Sequence, residues 1–170
     1  YIVKVSNAQM SDEDDYYMKF VGENGKDGTG TWTECPAPGI VKSWDPATMP
    51  VTIQRTAATT FTVDRYAWDD REVGDDVTNP IPKINGKKIN RVLFFRNRLV
   101  LLAGENVLTS RPGDFGNFWA DTALTVSAID PVDIAASSAF PSDLFDGIEI
   151  TTGLLVFSTN QQFLLSADDA

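Results

Sequence analysis

The chain has 170 residues, of which 42% are hydrophobic and 11% aromatic, so it can bury one ordinary domain core or two small ones. Its net charge of -10 argues against static binding to nucleic-acid phosphates or anionic lipid. It contains no histidine and a single cysteine, Cys35, which excludes imidazole-based triads, histidine metal sites and an internal disulfide.

Short runs of β-branched and aromatic residues, separated by Gly, Asn, Asp and Pro, recur along the chain, whereas helical periodicity is scarce. We therefore predict a mainly β fold. Residues 1–80 are expected to form a strand-rich domain with mobile Gly- and Asp-rich loops. Its predicted strands are YIVKV (1–5), YYMKFV (16–21), GTWT (30–33), VTIQ (51–54) and TFTVD (60–64).

The sequence pattern changes after Pro80, where apolar runs are joined by very short connections. VLFF (92–95), LVLLA (99–103) and VLTS (107–110) are linked by RNR and GEN, which predicts consecutive antiparallel strands, a meander. A second meander is predicted from IEIT, LLVFS and QFLLS. We expect residues 81–170 to hold two blades of a β-propeller-like domain, about 89–138 and 146–170, the second incomplete, beside the smaller β domain of residues 1–80.

The two predicted meanders match each other without a gap. When LVLLAGENVLTS (99–110) is laid over LVFSTNQQFLLS (155–166), Leu101 meets Phe157 and Leu108 meets Leu164. A repeated blade and a chance match between two apolar hairpins both explain this, and both stay open.

Two polar motifs resemble ligand loops but lack the required spacing. GENGKDG (22–28) has two residues between Gly22 and the GK pair, where a phosphate-binding loop needs four. SDEDD (11–15) has Tyr17 where a calcium loop needs glycine, so a solvated acidic loop is expected. In WDDREVGDD (68–76), Arg71 is expected to neutralise flanking aspartates.

Two carboxylate pairs, Asp69 with Asp70 and Asp130 with Asp133, have the residue type that glycoside hydrolysis requires. No cleft is visible in the sequence, and a cell-wall hydrolase remains the weakest alternative. We therefore predict no catalytic, cofactor-binding or metal-binding residue, and no membrane span. The basic stretch KINGKKINRVLFFRNR (83–98) is interpreted as a surface for protein partners.

RPGDFGNFW (111–119) combines a turn with three large aromatic side chains. Pro112 to Asp114 supply turn chemistry, since Gly113 and Gly116 are able to adopt positive φ angles and Asp114 is able to hold backbone amides. The aromatic residues are expected to fold back over a sheet, although base stacking and carbohydrate stacking are alternatives. The structural signature consists of Arg111, Gly113, Asp114, Phe115, Phe118 and Trp119.

Several segments, in order along the chain, carry a family resemblance. They are DDYYMKFVG, DPATMP (45–50), REVGDDVTNPIP (71–82), INRVLFFRNRLVLLAGENVLTSRPGDFGNFW (89–119) and ALTVSAIDPVDIAASS (123–138). Together they resemble the tail tubular protein B, or tail nozzle protein, family of short-tailed bacteriophages. The most specific parts are FRNRL, GENV, SR-GDF-NFW and DP-D-A-SS.

The resemblance implies a structural protein of the virion tail and a longer parent chain with propeller-like domains. It implies a homohexameric ring that contacts the tail adaptor (tail tubular protein A) and tail fibres and lets double-stranded DNA pass during ejection. An acidic wall, including Asp12, Glu13, Asp14 and Asp15, would repel that DNA. The alternative function is a stand-alone β-propeller or β-sandwich module that binds carbohydrate or protein.

Overall fold

A computed structural model describes residues 1–6, 15–26 and 28–166, and all regular secondary structure within these ranges is β. The predicted mainly β fold is confirmed. The chain divides into two compact units, each assembled from separate stretches of sequence. Unit 1 comprises residues 1–43, 70–81 and 119–130, and unit 2 comprises residues 44–69, 82–118 and 131–170. A domain boundary near residue 80 stays a prediction.

Unit 1 contains one antiparallel sheet of three strands in the order β1-β2-β3. The strands are β1 (Ile2–Val5), β2 (Tyr16–Gly22) and β3 (Gly30–Cys35). All three were predicted from runs of β-branched and aromatic residues. The remaining segments of unit 1 form no regular strand or helix, and isolated backbone bonds, such as that from the Ala37 N–H to the Gly74 carbonyl at 2.9 Å, act together with side-chain hydrogen bonds to hold them.

Unit 2 contains three antiparallel sheets. A two-stranded hairpin pairs β4 (Val51–Arg55) with β5 (Phe61–Arg65). Both predicted meanders are present, and a propeller arrangement stays a prediction. The first has the order β6-β7-β8-β9 and the second β10-β11-β12, with strands β6 (Arg91–Phe95), β7 (Arg98–Ala103), β8 (Asn106–Thr109), β9 (Asp133–Ala135), β10 (Leu144–Ile150), β11 (Gly153–Ser158) and β12 (Gln162–Ser166).

The two meander sheets bury one face each in a shared hydrophobic core. Because side chains alternate along a strand, Val100 and Leu102 lie on one face of β7, and Leu154 and Val156 lie on one face of β11. The core also includes residues from the neighbouring strands, namely Phe95, Val107, Leu144 and Leu165. Each meander therefore contributes alternate residues of its apolar runs to the core.

The tight connections predicted between strands follow ordinary hairpin chemistry. Arg96 and Asn97 link β6 to β7 with φ angles of 48° and 61°. Two successive positive φ angles are typical of a type I′ turn, whose twist matches that of paired antiparallel strands. The FRNRL motif therefore specifies this hairpin.

On the first strand of the two aligned hairpins, the gapless match aligns residues that are not equivalent in the structure. Leu101 pairs with Leu108 in the first hairpin, and Leu155 pairs with Leu164 at the equivalent step from the turn in the second. Leu101 thus corresponds to Leu155 rather than Phe157, a shift of two residues. Because the shift is even, each residue keeps its face of the sheet.

Within the described ranges, no helix is long and apolar enough to cross a membrane.

Candidate functional site

The segment 111–119, called the aromatic turn from here on, closes on itself through its backbone. The Arg111 N–H donates to the Asn117 carbonyl at 2.9 Å, and the Gly113 N–H donates to the Asn97 carbonyl at 2.7 Å. Gly113 has a φ of 75°, a conformation that L side chains rarely adopt, as predicted. The aromatic turn is therefore fixed to the β6–β7 hairpin turn.

Gly116 serves close packing and not turn geometry. It is absent from the described glycines with positive φ, so it does not use that conformation here. A Cβ at this position would lie 2.8 Å from Tyr66 Cε1 and 2.9 Å from Asp69 Oδ2. Its carbonyl also accepts a hydrogen bond from the Asp69 N–H at 3.1 Å. Any side chain at position 116 would displace segment 66–69, which follows β5.

Phe118 is buried within unit 2 and packs among other aromatic rings. Its ring centroid lies 6.0 Å from that of Trp44 and 5.8 Å from that of Trp68. Phe115 makes an edge-to-face contact with Phe94 of β6 at 5.2 Å. These contacts favour packing over ligand stacking for the aromatic turn, and the sheet next to it is β6–β9.

Trp119, the next residue, is buried in unit 1 beside the equally buried Arg71. The Arg71 guanidinium carbon lies 5.3 Å from the Trp119 ring centroid, within cation–π range. The aromatic turn therefore ends where the chain passes from unit 2 to unit 1.

Arg71 is the main polar anchor of unit 1. Its Nη1 donates to the Asn79 carbonyl at 2.8 Å and the Asp75 carbonyl at 3.2 Å, and its Nη2 donates to the Val41 carbonyl. An ion pair with Asp76 at 2.9 Å confirms that Arg71 neutralises a flanking aspartate. One side chain thus connects the turn 75–79 to the segment around Val41 within unit 1.

Asp75 shapes the turn that surrounds Arg71. Its Oδ1 accepts hydrogen bonds from the backbone N–H groups of Val77 at 2.9 Å and Thr78 at 3.0 Å. Burial raises the pKa of Asp75, but these donors and the Thr78 hydroxyl stabilise the carboxylate and leave its pKa below the ordinary value. The ionised carboxylate is therefore part of the folded turn.

Two further anchors of unit 1 were missed by sequence reasoning. The Glu34 carboxylate accepts hydrogen bonds from the Thr122 hydroxyl and the Ala123 N–H, both at 2.7 Å. The Asn79 side chain accepts from the Ala120 N–H at 3.0 Å and donates to the Val73 carbonyl at 3.0 Å. These hydrogen bonds hold segment 119–130 in unit 1. No periodic pattern of apolar residues in the sequence indicates them.

Of the proposed carboxylate pairs, Asp130 and Asp133 hold loops in place. Both Asp130 carboxylate oxygens accept backbone N–H groups, from Asp121 at 3.0 Å and Ser127 at 2.7 Å. Asp133 accepts the Lys83 N–H at 2.8 Å. Among the described residues, no group of three or more His, Cys, Asp or Glu side chains could hold a metal ion.

The acidic motif SDEDD is described only at its last residue. Asp15 is 2% exposed and forms an ion pair with Lys4, so its expected place in a solvated acidic loop is wrong. Asp12, Glu13 and Asp14 lie outside the described residues. Cys35 is buried, and this burial raises the pKa of its thiol.

The basic stretch 83–98 is largely engaged within unit 2. The Lys87 ammonium donates to Asn106 Oδ1 at 2.6 Å, and Arg91 pairs with Asp146 at 3.0 Å. Arg98 is buried and donates to the Ser110 carbonyl at 2.8 Å. These three charges stabilise the fold, and a role of the stretch as a surface for protein partners stays a prediction.

An open cleft of about 250 Å³ lies beside the aromatic turn in unit 2. Four rings and several aliphatic side chains form its wall, and few polar atoms are present. The lining residues are Pro50, Val51, Thr52, Tyr66, Trp68, Val92, Phe94, Leu99 and Phe115.

Comparisons with known proteins identify the family. A model of the bacteriophage nozzle protein family matches residues 1–170. The tail tubular protein gp12 of Escherichia phage T7 is 33% identical over 169 residues, which are 98% of this chain and 20% of that protein. The chain thus spans about a fifth of the length of this curated relative. The predicted resemblance is confirmed, and the chain belongs to the bacteriophage nozzle protein family, a family of structural components of the virion tail.

Proposed function

We propose that this chain forms part of the wall of a ring-shaped nozzle through which double-stranded DNA leaves the capsid, and that it has no enzymatic activity. The ring is proposed to be a homohexamer that contacts the tail adaptor, tail tubular protein A, and the tail fibres. The observation that carries the proposal is the family match along the whole chain. Residues 111–119 are proposed as a structural signature that joins sheet β6–β9 to its aromatic packing.

The use of the polar residues supports a structural role. Arg71, Glu34 and Asp130 each form hydrogen bonds with backbone groups of the same unit. Such bonds hold loops in place, so these side chains are already bonded within the folded protein. A wall that must keep its shape while DNA passes requires this kind of internal fixation.

The charge of the chain supports passage of DNA over retention. With a net charge of -10, the chain repels phosphate backbones, so a duplex beside it can slide without being held. Since Asp15 is buried, the exposed acidic residues that would face DNA must lie elsewhere.

Electron microscopy of the whole nozzle protein, alone and mixed with its adaptor, tests this proposal. We expect rings with a central opening, and no retention of duplex DNA in a gel-shift assay at physiological salt. A protein that stays monomeric even with the adaptor would contradict the proposed ring. Tight, salt-resistant DNA binding would contradict the proposed sliding surface.

The aromatic cleft favours one alternative function, a module that binds carbohydrate. Tyr66, Trp68 and Phe115 provide ring faces of the kind on which sugars stack. Titration of host surface glycans should then change the fluorescence of Trp68, and Trp68→Phe should remove that signal. Unchanged fluorescence at saturating glycan would leave the nozzle wall as the better account.

A further inference from the structure

The sequence contains the tripeptide Asn-Gly-Lys twice, at residues 24–26 and 85–87. Asparagine followed by glycine is especially prone to spontaneous deamidation, because glycine has no Cβ to obstruct the ring that forms. The two copies are chemically identical over these three residues. Since local sequence is matched, a difference between their reaction rates in the native protein reports on the folded structure.

Deamidation starts at the backbone nitrogen that follows the asparagine. This nitrogen attacks the side-chain Cγ, the bond from Cγ to Nδ2 breaks, and ammonia leaves with the proton of the former N–H group. The product is a five-membered succinimide. Water then opens one of the two ring carbonyls and gives aspartate or isoaspartate. The reaction therefore needs water, an accessible side chain and a glycine N–H that is free to react.

Both copies have room for this reaction. Asn24 and Asn85 are exposed, and so are the glycines that follow them. A Cβ at Gly25 or Gly86 would have no atom of the described residues within 4 Å beyond its chain neighbours. The two glycines also share nearly the same φ, 74° and 73°. Crowding and glycine conformation therefore do not distinguish the two sites.

The first copy lies in a turn that is closed by the reacting amide itself. The Gly25 N–H donates to the Gly22 carbonyl at 2.9 Å. Attack on Asn24 requires this N–H to leave its acceptor. The folded turn therefore protects Asn24.

The second copy lies in a turn that is closed by a different amide. The Lys87 N–H donates to the Ile84 carbonyl at 2.9 Å, which makes Asn85 and Gly86 the two central residues. The peptide between the central residues of a β-turn takes no part in the closing bond. Among the described residues, no acceptor binds the Gly86 N–H and no hydrogen bond holds the Asn85 side chain. Both reacting groups are therefore available in the folded state.

We propose that Asn85 is a site of spontaneous deamidation in the folded protein and that the fold protects Asn24. The expected ratio of the two rates is about fivefold, the factor that corresponds to one hydrogen bond of about 1 kcal/mol. The ratio belongs to the folded state, because unfolding removes both turns and leaves two identical tripeptides.

Conversion of Asn85 changes the loop beside the edge of sheet β6–β9. Isoaspartate adds a methylene group to the backbone and so disturbs the turn closed by Lys87. The same loop contains Ile84, which is 2% exposed, and Lys83, whose N–H donates to Asp133 of β9 at 2.8 Å. Because a virion does not renew its proteins after assembly, the product accumulates with the age of the particle.

Peptide mass spectrometry tests the proposal after the folded protein has been incubated in mildly alkaline buffer. Each conversion replaces an amide by a carboxyl group, and the resulting mass increase locates it. We expect Asn85 to convert about fivefold faster than Asn24. In denaturant, where neither turn exists, the two rates should become equal.

Two variants serve as matched controls. Asn85→Gln should remove the product at position 85 and leave the rate at Asn24 unchanged, because glutamine must close a six-membered ring. Asn24→Gln should leave the rate at Asn85 unchanged. Circular dichroism during the incubation shows that each protein stays folded.

Three results would overturn the proposal. Equal rates in the folded protein, or a faster rate at Asn24, would show that the closing amide does not protect its asparagine. A ratio that persists in denaturant would assign the difference to the flanking sequence. An Asn85 that converts in denaturant but survives in the folded protein would show that this turn is protective too.

Discussion

Unit 1 is held together around a buried arginine, whereas unit 2 is held together by the apolar faces of two sheets. In unit 1, Arg71 and Asn79 bond to backbone groups of segments far apart in sequence. In unit 2, leucines and valines of β7 and β11 face each other in one core. Apolar burial is insensitive to protonation and hydrogen-bonded carboxylates are not, so the two units should respond differently to substitution and to acid.

The largest expected effects come from two neighbouring residues in different units. Phe118→Ala should destabilise unit 2 and Trp119→Ala should destabilise unit 1, each by about 3–5 kcal/mol, because each empties a buried aromatic site. Hydrogen exchange measured by mass spectrometry would locate the loss of protection. Phe94→Ala is the control, since this ring is mostly exposed and its loss should cost less than about 1 kcal/mol. Loss of protection in the same unit for both variants would contradict the assignment of Phe118 and Trp119 to different units.

Arg71→Ala should destabilise unit 1 by about 3 kcal/mol, because the Val41 and Asn79 carbonyls lose their donor. Arg71→Lys should recover only part of this, since an ammonium group cannot match the reach of the planar guanidinium. Chemical denaturation gives the free energy of unfolding of each variant. If Arg71→Ala is as stable as the original protein, the polar network is not what holds unit 1.

Leu108→Ala and Leu164→Ala compare equivalent positions of the two meanders. Leu108 is fully buried on the face of its sheet that lies opposite the shared core, and Leu164 is half-exposed on the corresponding face of the other sheet. We expect Leu108→Ala to cost about 2 kcal/mol more in free energy of unfolding. Equal costs would mean that these two faces are equally packed.

The smallest expected effect is a change in acid sensitivity. Because the folded pKa of Asp75 lies below its unfolded value, its stabilisation is present above about pH 4 and is lost as pH falls through the folded pKa. Asp75→Asn removes this contribution, so hydrogen-exchange protection of unit 1 should fall less steeply with acid in the variant. Protection of unit 2 should follow the same pH profile in both proteins.

The strands of this fold were predictable because their apolar runs are long enough to show a pattern. Strand β9 was missed because Asp133–Ala135 spans three residues next to Pro131. Its place at the sheet edge depends on pairing with β8, more than 20 residues earlier. Whether such a short segment forms a strand depends on the sheet edge with which it pairs more than on its own sequence.

The polar anchors were less predictable. The sequence indicated that Arg71 would meet a flanking aspartate, but it did not indicate the Val41 carbonyl, 30 residues away. Every residue has the same backbone carbonyl, and every residue except proline has the same backbone N–H. A backbone partner therefore cannot be recognised from the sequence. Glu34 and Ala123, 89 residues apart, illustrate the same limit.

The interleaving of the two units has a consequence for synthesis on the ribosome. Arg71 is made before Trp119 and Ala120, which complete its surroundings in unit 1. At roughly 5–20 residues per second, about 2–10 seconds separate these events. During that interval the nascent unit 1 has its sheet but not its closing segment. We therefore expect codon usage or chaperone binding while residues 71–130 are being made to change the yield of folded protein.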